Sequence, residues 1–325
     1  MQKFIGCDLG GTNLRAAVVD VDAGTVIFQQ SVPTLARQGH DAVMKRMADL
    51  IEHTIHRAGF SKKEIQGIGI GVPGVLDLEK GETTFLPNLY GNWRQVPLRD
   101  TIQLQTDLPT SLLNDARAIT VGEWKYGAGK DFDTIAVFTL GTGVGGGLVV
   151  DGKLHLGFGG SAGELGHMTI NFDGPRCGCG NYGCLETYAS GPAIASLGIK
   201  AVVQGLTTQI GELCQYDLNR ITPALIAQAA REGDPIAQDI YKQAGYYLGI
   251  AAAILCASVS PKRIIVTGGV ANAGELLLEP MRKTMRERVF IMPVERVEIV
   301  LGQLGDNAGV IGSASWAALN INPPK

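Results

Sequence analysis

The stretch Cys7-Asp8-Leu9-Gly10-Gly11-Thr12 carries a strand into a glycine turn, and Thr139-Leu140-Gly141-Thr142-Gly143-Val144-Gly145 does the same in the second half of the chain. Around the first, Phe4 to Cys7 enters the turn and Leu14 to Val19 leaves it. Asp20-Val21-Asp22-Ala23-Gly24 then turns the chain into a third strand, Thr25 to Phe28. Val43, Met47, Leu50, Ile51, Thr54 and Ala58 follow at helical spacing, and Gly59 ends that helix. Ile65 to Val72 is a strand that stops at Pro73-Gly74. Around the second turn, the strands are Ile135 to Leu140 and Gly147 to Val150; Ile264 to Val266 leads into Gly268-Gly269, and Val297 to Leu301 is last. An order βββαβα begun twice predicts an α/β protein of two related lobes with a central ligand cleft. The expected division is a small N-terminal lobe over 1–113 and a large C-terminal lobe over 114–307, with a helix at about 308–325 packing back on the first.

Composition narrows the function. The chain has 325 residues, 45% of them hydrophobic, which excludes bulk disorder. Its 44 glycines are nearly twice the ordinary share of ~7%, with no collagen-like period, so they serve turns and close backbone approaches. A formal charge of −3 argues against a nucleic-acid surface. An acidic residue at Asp8 comes too early for a secretory signal. The longest apolar run, Leu248 to Val259, is shorter than the roughly 20 residues a membrane span needs and reads as a buried helix. A cytoplasmic protein that engages neither nucleic acid nor membrane is expected.

Three features can carry chemistry. The first glycine turn joins two strands, and its spacing fits neither G-x-G-x-x-G nor the P-loop. Its small residues leave backbone N–H groups and the Thr12 hydroxyl able to face phosphate oxygens, and Asp8 can hold a hydrated Mg²⁺. An ordinary tight hairpin explains one such turn equally well; a second at Gly141-Thr142-Gly143 points to a nucleotide clamp. Next, Leu113-Asn114-Asp115-Ala116-Arg117 follows a short strand at Leu108 to Leu112 and precedes a helix toward Trp124. A carboxylate at the end of such a strand sits where open sheets bind ligands, although Asn and Asp are also favoured helix caps. Third, Glu164-Leu165-Gly166-His167 is followed by Cys177-Gly178-Cys179-Gly180-Asn181-Tyr182-Gly183-Cys184-Leu185-Glu186. Of six cysteines, three crowd into this loop beside one histidine, a Cys₃His set typical of structural zinc. The other histidines, at 40, 53, 56 and 155, form no ligand set, and His53 and His56 fall on the solvated face of the first helix.

Asp8-Leu9-Gly10-Gly11-Thr12-Asn13-Leu14-Arg15 resembles the phosphate-binding opening of the sugar kinase/actin/Hsp70 superfamily. The pattern E-x-G-H followed by C-x-C-G-x-x-G-C-x-E narrows the resemblance to the ROK family of bacterial sugar kinases and sugar-responsive repressors, over almost the whole chain. It implies actin-like (RNase H-like) lobes. It implies that Asp115 is the general base taking the proton from a sugar hydroxyl, and that Asn114, Glu164, His167 and Glu186 bind sugar hydroxyls. Gly74, in a G-x-P-G turn, and Asn88 match positions beside the sugar. Asn13 and Arg15 belong to the phosphate motif, and Gly268-Gly269 resembles the adenosine-side turn. His167, Cys177, Cys179 and Cys184 are the implied structural Zn²⁺ ligands.

The resemblance implies a homodimer that phosphorylates a hexose at its 6-hydroxyl with Mg²⁺ and ATP, with polyphosphate the alternative donor. Glucose is the expected sugar. Leu113 and Arg117 depart from the E-N-D-A-N common around the base in glucokinase-like members; N-acetylglucosamine, N-acetylmannosamine, mannose, fructose and allose are the alternatives. A non-enzymatic alternative is a sugar-sensing regulator. Such repressors resemble this chain with an added N-terminal helix-turn-helix, for which a phosphate motif starting at Asp8 leaves no room. A pure sugar-binding module would not need both phosphate hairpins.

Overall fold

The computed structural model describes residues 1–86 and 89–321. Its contacts divide into two units, one of Met1–Asp131, Leu154–Gly163 and the stretch from Gln303, the other of Phe132–Lys153 and Glu164–Gly302. Leu113, the expected boundary, lies inside the first unit, because the strand that contains it pairs within that unit's sheet.

The first unit is built on strands β1 (Lys3–Leu9), β2 (Asn13–Asp20), β3 (Thr25–Pro33), β4 (Ile65–Val72), and β7 (Thr110–Asn114), in the order β3-β2-β1-β4-β7. A small hairpin, β5 (Val75–Asp77) and β6 (Glu82–Phe85), lies between β4 and β7 in the chain. β1, β4 and β7 run parallel, while β1-β2 and β2-β3 are antiparallel hairpin pairs. Parallel strands need crossovers, supplied by α1 (His40–Arg57) before β4 and α2 (Leu98–Thr106) before β7. β7 begins two residues later than the sequence indicates and runs on to Asn114, because Gly71 and Val72 of β4 continue the ladder opposite Leu113 and Asn114.

Alternation along β1 sorts its side chains. Ile5, Cys7 and Leu9 join a buried cluster with Val43, Met47 and Ile51 of α1. Phe4 faces the other way, into a cluster with Val310, Ile311 and Ala314 of α10, the C-terminal helix Ala308–Ile321. Gly6 and Asp8 share that second face by the period of two. On it, α10 and α3 (Asp115–Tyr126) pack against the sheet and one another. Their fit explains part of the glycine excess. A Cβ at Gly6 would stand 1.9 Å from the Val310 carbonyl oxygen, one at Gly69 1.7 Å from that of Ser313, and one at Gly312 1.7 Å from that of Ala118. Backbone rather than side chains would have to yield at these contacts.

The second unit repeats the plan. Strands β8 (Ile135–Leu140), β9 (Val144–Val150), β10 (Lys153–Leu154), β11 (Arg263–Thr267) and β12 (Glu298–Leu301) take the order β10-β9-β8-β11-β12, with β8, β11 and β12 parallel and β8-β9 antiparallel. The crossover between β9 and β11 is long. It holds the cysteine loop, then α4 (Glu186–Ala189), α5 (Gly191–Val203), α6 (Gln209–Leu213), α7 (Pro223–Arg231) and α8 (Pro235–Ser258); α9 (Glu275–Arg288) joins β11 to β12. Phe138, Leu140, Leu248, Ala252, Leu255 and Leu277 share its core. The apolar run from Leu248 is the C-terminal half of α8. No described helix is long and apolar enough to cross a membrane.

Candidate active site

Each sheet presents the carboxyl ends of its parallel strands at one edge, the usual ligand edge of such sheets. In the first unit this edge carries Asp8 at the end of β1, Gly71-Val72-Pro73-Gly74 at the end of β4, and Asn114-Asp115 at the end of β7. The register fixes the grouping: Asp8 stands opposite Gly71, and Val72 opposite Asn114.

The first glycine turn spans Gly10 to Asn13. The Gly10 N–H donates to the Asn13 carbonyl at 2.9 Å, and Thr34, just after β3, ties the turn from the side. Its N–H donates to the Thr12 carbonyl at 2.7 Å and its hydroxyl to the Gly10 carbonyl at 2.6 Å. With those carbonyls engaged, Gly11, Thr12 and Asn13 stay exposed and able to meet an anion.

Asp8 sits half-buried behind the turn. Burial raises its carboxyl above the usual carboxylate range, and the Arg15 guanidinium partly offsets this. Arg15 lies directly opposite on β2 and donates to the Asp306 carbonyl just before α10. A Cβ added at Gly309, in the first turn of α10, would lie 3.8 Å from Asp8 Oδ2. A helix N-terminus and a nearby divalent cation both favour the ionised carboxylate, so Asp8 suits a hydrated Mg²⁺ in its donor chemistry.

Asn114 is the N-cap of α3: its Oδ1 accepts from the N–H groups of Ala116 at 3.1 Å and Arg117 at 3.2 Å. Its Nδ2 donates to the Gly74 carbonyl at 3.0 Å, which fastens the β4 turn to the β7 end. Gly74 has φ +89°, a conformation that favours glycine. Both oxygen lone pairs of Asn114 are thereby engaged, and one amide hydrogen remains for a ligand. The cap and sugar roles proposed for Asn114 therefore coexist only in that limited form. Asp115 opens the helix, with Oδ1 2.8 Å from the Ala116 N–H.

In the second unit, the turn after β8 spans Gly141 to Gly143. The Gly141 N–H donates to the Gly143 carbonyl at 3.0 Å, and the Gly191 N–H to the Gly141 carbonyl at 2.8 Å. Gly268 ends β11 beside it; a Cβ there would stand 2.4 Å from the Leu140 carbonyl oxygen, and φ is +94°. Gly268 and Gly269 are both exposed.

Glu186, the first residue of α4, couples this turn to the cysteine loop. Its Oε2 accepts the Val144 N–H at 3.0 Å, and its Oε1 lies 3.7 Å from Cys177 Sγ. A Cβ at Gly143 would meet Oε2 at 2.4 Å, so glycine there makes room for the carboxylate. Gly166 does similar work under Glu164 and His167: a Cβ would stand 1.9 Å from the Val144 carbonyl oxygen. Glu164 is exposed and begins the short 3₁₀ turn that ends at His167.

The loop brings His167, Cys177, Cys179 and Cys184 together, with one ligand atom from each inside 4.8 Å of all the others. Cys179 Sγ and Cys184 Sγ are 3.8 Å apart, and Cys177 Sγ is 3.7 Å from His167 Nδ1. Zinc–sulfur bonds of ~2.3 Å in a tetrahedron require sulfurs about 3.8 Å apart, and a sulfur–imidazole edge is slightly shorter. The donor set fits a four-coordinate zinc. Burial pushes Cys184 up to about 12, and raises Cys177, whereas the Asn181 N–H lowers the exposed Cys179. A bound cation would invert the first two, since thiolates are the ligands. If Nδ1, which faces Cys177 Sγ, ligated the metal, His167 would keep Nε2 for a ligand.

Asn88 lies outside the described residues. No local sequence signal marks Thr34, Glu123 or Asp306. Thr34 carries no motif, and the partners of Glu123 at Gln303 and Leu304 lie about half the chain away.

Two sheets of matching order, each opened by a glycine hairpin, make this an actin-like two-lobed α/β protein, the class to which ROK sugar kinases belong. The chain belongs to the ROK family, whose profile matches residues 4–319. It is 34% identical to a glucokinase of Halalkalibacterium halodurans over 311 residues, 95% of this chain and 93% of that protein. It is 35% identical to a xylose repressor of Caldicellulosiruptor bescii over 310 residues, 95% of this chain and 76% of the repressor. A ROK glucokinase of Streptomyces griseus, solved with glucose and AMPPNP, superposes with a TM-score of 0.83 at 32% identity, over 97% of this chain and 98% of that one.

Proposed function

We propose that this protein transfers the γ-phosphoryl group of ATP to the 6-hydroxyl of a hexose, glucose first among the candidates. The observation that carries the reading lies within one unit: Asp115, Asp8 and the Gly10–Asn13 hairpin share one edge of one sheet. A sugar sensor needs neither a carboxylate base nor a phosphate hairpin there. Similarity to a glucokinase, and to a glucokinase solved with glucose and an ATP analogue, supports the same reading.

In this mechanism the sugar is bound by Glu164, His167 and Glu186, with Gly74 and the remaining Asn114 amide hydrogen beside it; the motif adds Asn88. Asp115 accepts the proton of the attacking hydroxyl as the oxygen–phosphorus bond forms and ADP departs. The N–H groups of the two glycine hairpins bind phosphate oxygens, Gly268-Gly269 borders the adenosine, and Asp8 would hold the hydrated Mg²⁺. Mg²⁺ would neutralise charge developing on the phosphates. Phosphoryl transfer depends mainly on alignment and electrostatics, which fixed backbone donors supply. Zinc at His167, Cys177, Cys179 and Cys184 would be structural, since four protein ligands close the tetrahedron. A cytoplasmic homodimer completes the reading.

The xylose-repressor similarity supports a second reading, a sugar-responsive regulator that keeps the sugar and zinc residues. A coupled ADP-release assay against a hexose panel, with Asp115→Asn beside the unsubstituted chain, separates the two. We expect turnover on glucose, and in Asp115→Asn a kcat lower by about two to four orders of magnitude with sugar affinity nearly unchanged. Sugar binding with no turnover on any hexose would favour the regulator. Near-normal turnover in Asp115→Asn would remove Asp115 from its role.

A further inference from the structure

The chain passes between its two units four times, after Asp131, Lys153, Gly163 and Gly302. The helix α3, which opens with Asp115, carries two charged side chains that are almost wholly buried, Arg117 at 2% exposure and Glu123 at 0%. Both engage backbone beside those passages. The Glu123 carboxylate accepts the N–H of Ala128 at 2.9 Å, of Gln303 at 3.0 Å and of Leu304 at 2.9 Å. Ala128 lies three residues before the first passage, and Gln303 is the first residue after the last. Arg117 Nε donates to the Ala162 carbonyl at 2.8 Å, one residue before the end of the 154–163 segment. That segment leads directly to Glu164.

The Glu123 site is built rather than incidental. The Glu123 carbonyl accepts from the N–H groups of Gly127 at 3.1 Å and Gly129 at 2.8 Å, so backbone and side chain hold the same turn. A Cβ at Gly127 would stand 2.2 Å from Glu123 Oε2, so glycine leaves room for the carboxylate. A buried carboxylate is costly unless its oxygens are hydrogen-bonded, and an apolar side chain would fill the volume at less cost. What an apolar side chain cannot do is bind three amides from two separate stretches of chain.

We propose that Arg117 and Glu123 are positioning residues that fasten three of the four passages to the helix carrying Asp115, so that the helix and these passages shift as one piece. This rests on the reading of Asp115 as the base. If the fastening loosens, ligands can still bind while the alignment of Asp115 for transfer suffers. The loss then falls on kcat more than on KM.

The test uses the full chain with Glu123→Gln, which keeps the shape but replaces one acceptor oxygen with an NH₂ group. Amide exchange at 128 and 303–304 should quicken by about tenfold or more, with β1 and β8 unchanged, because hydrogen bonds to a charged acceptor are lost. The kcat should fall about tenfold, equivalent to a rise of about 1.4 kcal/mol in the barrier, while the sugar KM stays within about twofold. Arg117→Met should loosen 160–163 in the same way, and Arg117→Lys, which keeps a donor and the charge, should restore most of the rate. Unchanged exchange at the passages overturns the fastening. Faster exchange with an unchanged kcat overturns the positioning role, as does exchange that quickens throughout the chain with kcat and KM worsening together. If the unsubstituted chain phosphorylates no sugar, the kinase reading fails by itself, and the exchange pattern still decides whether these side chains hold the passages.

Discussion

The two glycine hairpins are built on the same plan and are held by different chemistry. Gly10–Asn13 is closed by Thr34 from its own sheet, and Asp8 stands one residue before the last strand pair, beside Arg15 and the start of α10. Gly141–Gly143 is closed by Glu186 and Gly191 from the long crossover, and Thr139 occupies the place of Asp8. A repeated backbone therefore supplies two sets of N–H donors, while the side chains divide the remaining work. The first unit places carboxylates, Asp8 and Asp115, at its ligand edge. The second joins its hairpin through one glutamate to a loop suited to zinc. On the proposed reading, charge handling belongs to the first hairpin, while the second is coupled through Glu186 to the cysteine loop.

The sharpest way to break this division is to substitute the matched positions. Asp8→Asn should lower kcat with Mg²⁺-ATP by about a hundredfold, as expected for a group that acts on transition-state charge. Thr139→Val should change it only a few-fold. The same variants read stability in the opposite sense. Burial holds the folded-state carboxyl of Asp8 above its unfolded value. Its ionised form therefore penalises the fold above that folded value, and the penalty disappears as pH falls below the unfolded one. At pH 7 and without metal, Asp8→Asn should keep or raise Tm. Equal rate losses at both positions would erase the distinction.

Next in size is the Cys₃His loop. If it holds the proposed zinc, stripping the metal with a chelator, or Cys184→Ser, should weaken sugar binding by about 10–100-fold, because His167 and Glu186 lose the support that orients them. Calorimetry on protein verified as metal-free measures this. Unchanged affinity would detach the loop from recognition. Gly143→Ala sharpens the same point: its Cβ would meet Glu186 Oε2 at 2.4 Å, whereas one at Gly141 meets nothing within 4 Å. Overpacking at Gly143 should cost about 1–3 kcal/mol in denaturant melts, and Gly141→Ala within about 0.5 kcal/mol. Similar melts for the two would show that the carboxylate gives way freely.

What the sequence made legible follows from range. β4 and β8 are readable to the residue, since Ile65–Val72 ends at Pro73-Gly74 and Ile135–Leu140 at a glycine turn. The Cys₃His cluster is readable because its ligands lie within eighteen residues of one another. The sequence places β7 two residues early because apolar Leu108 looks like strand, while Asn114, which looks like a cap, serves both as the last ladder residue and as that cap. The helices α5 to α7 are not legible because Gly191–Val203 is apolar on most sides, and short pieces such as Gln209–Leu213 hold only by packing within the unit. Glu123 is the clearest case. A glutamate within a helix suggests a solvated face, and only the fold brings the amides of residues 303 and 304 to it.

The smallest expected effect tests whether the first hairpin is as self-contained as its geometry indicates. Thr34 is buried at 0% exposure, and its hydroxyl donates to the Gly10 carbonyl while its N–H holds Thr12. Thr34→Val keeps the shape and the N–H and removes only the hydroxyl. The Gly10 carbonyl then loses one donor, a loss of about 1 kcal/mol in stability by denaturant melt. A turn held solely from its own sheet should also loosen toward its anion, raising the KM for ATP a few-fold while the sugar KM stays put. The second hairpin, closed by Glu186, has no route to this effect. A Thr34→Val protein whose sugar KM rises as much as its ATP KM would mean that the two hairpins do not divide the work at all, and that the repeated backbone acts as a single binding surface.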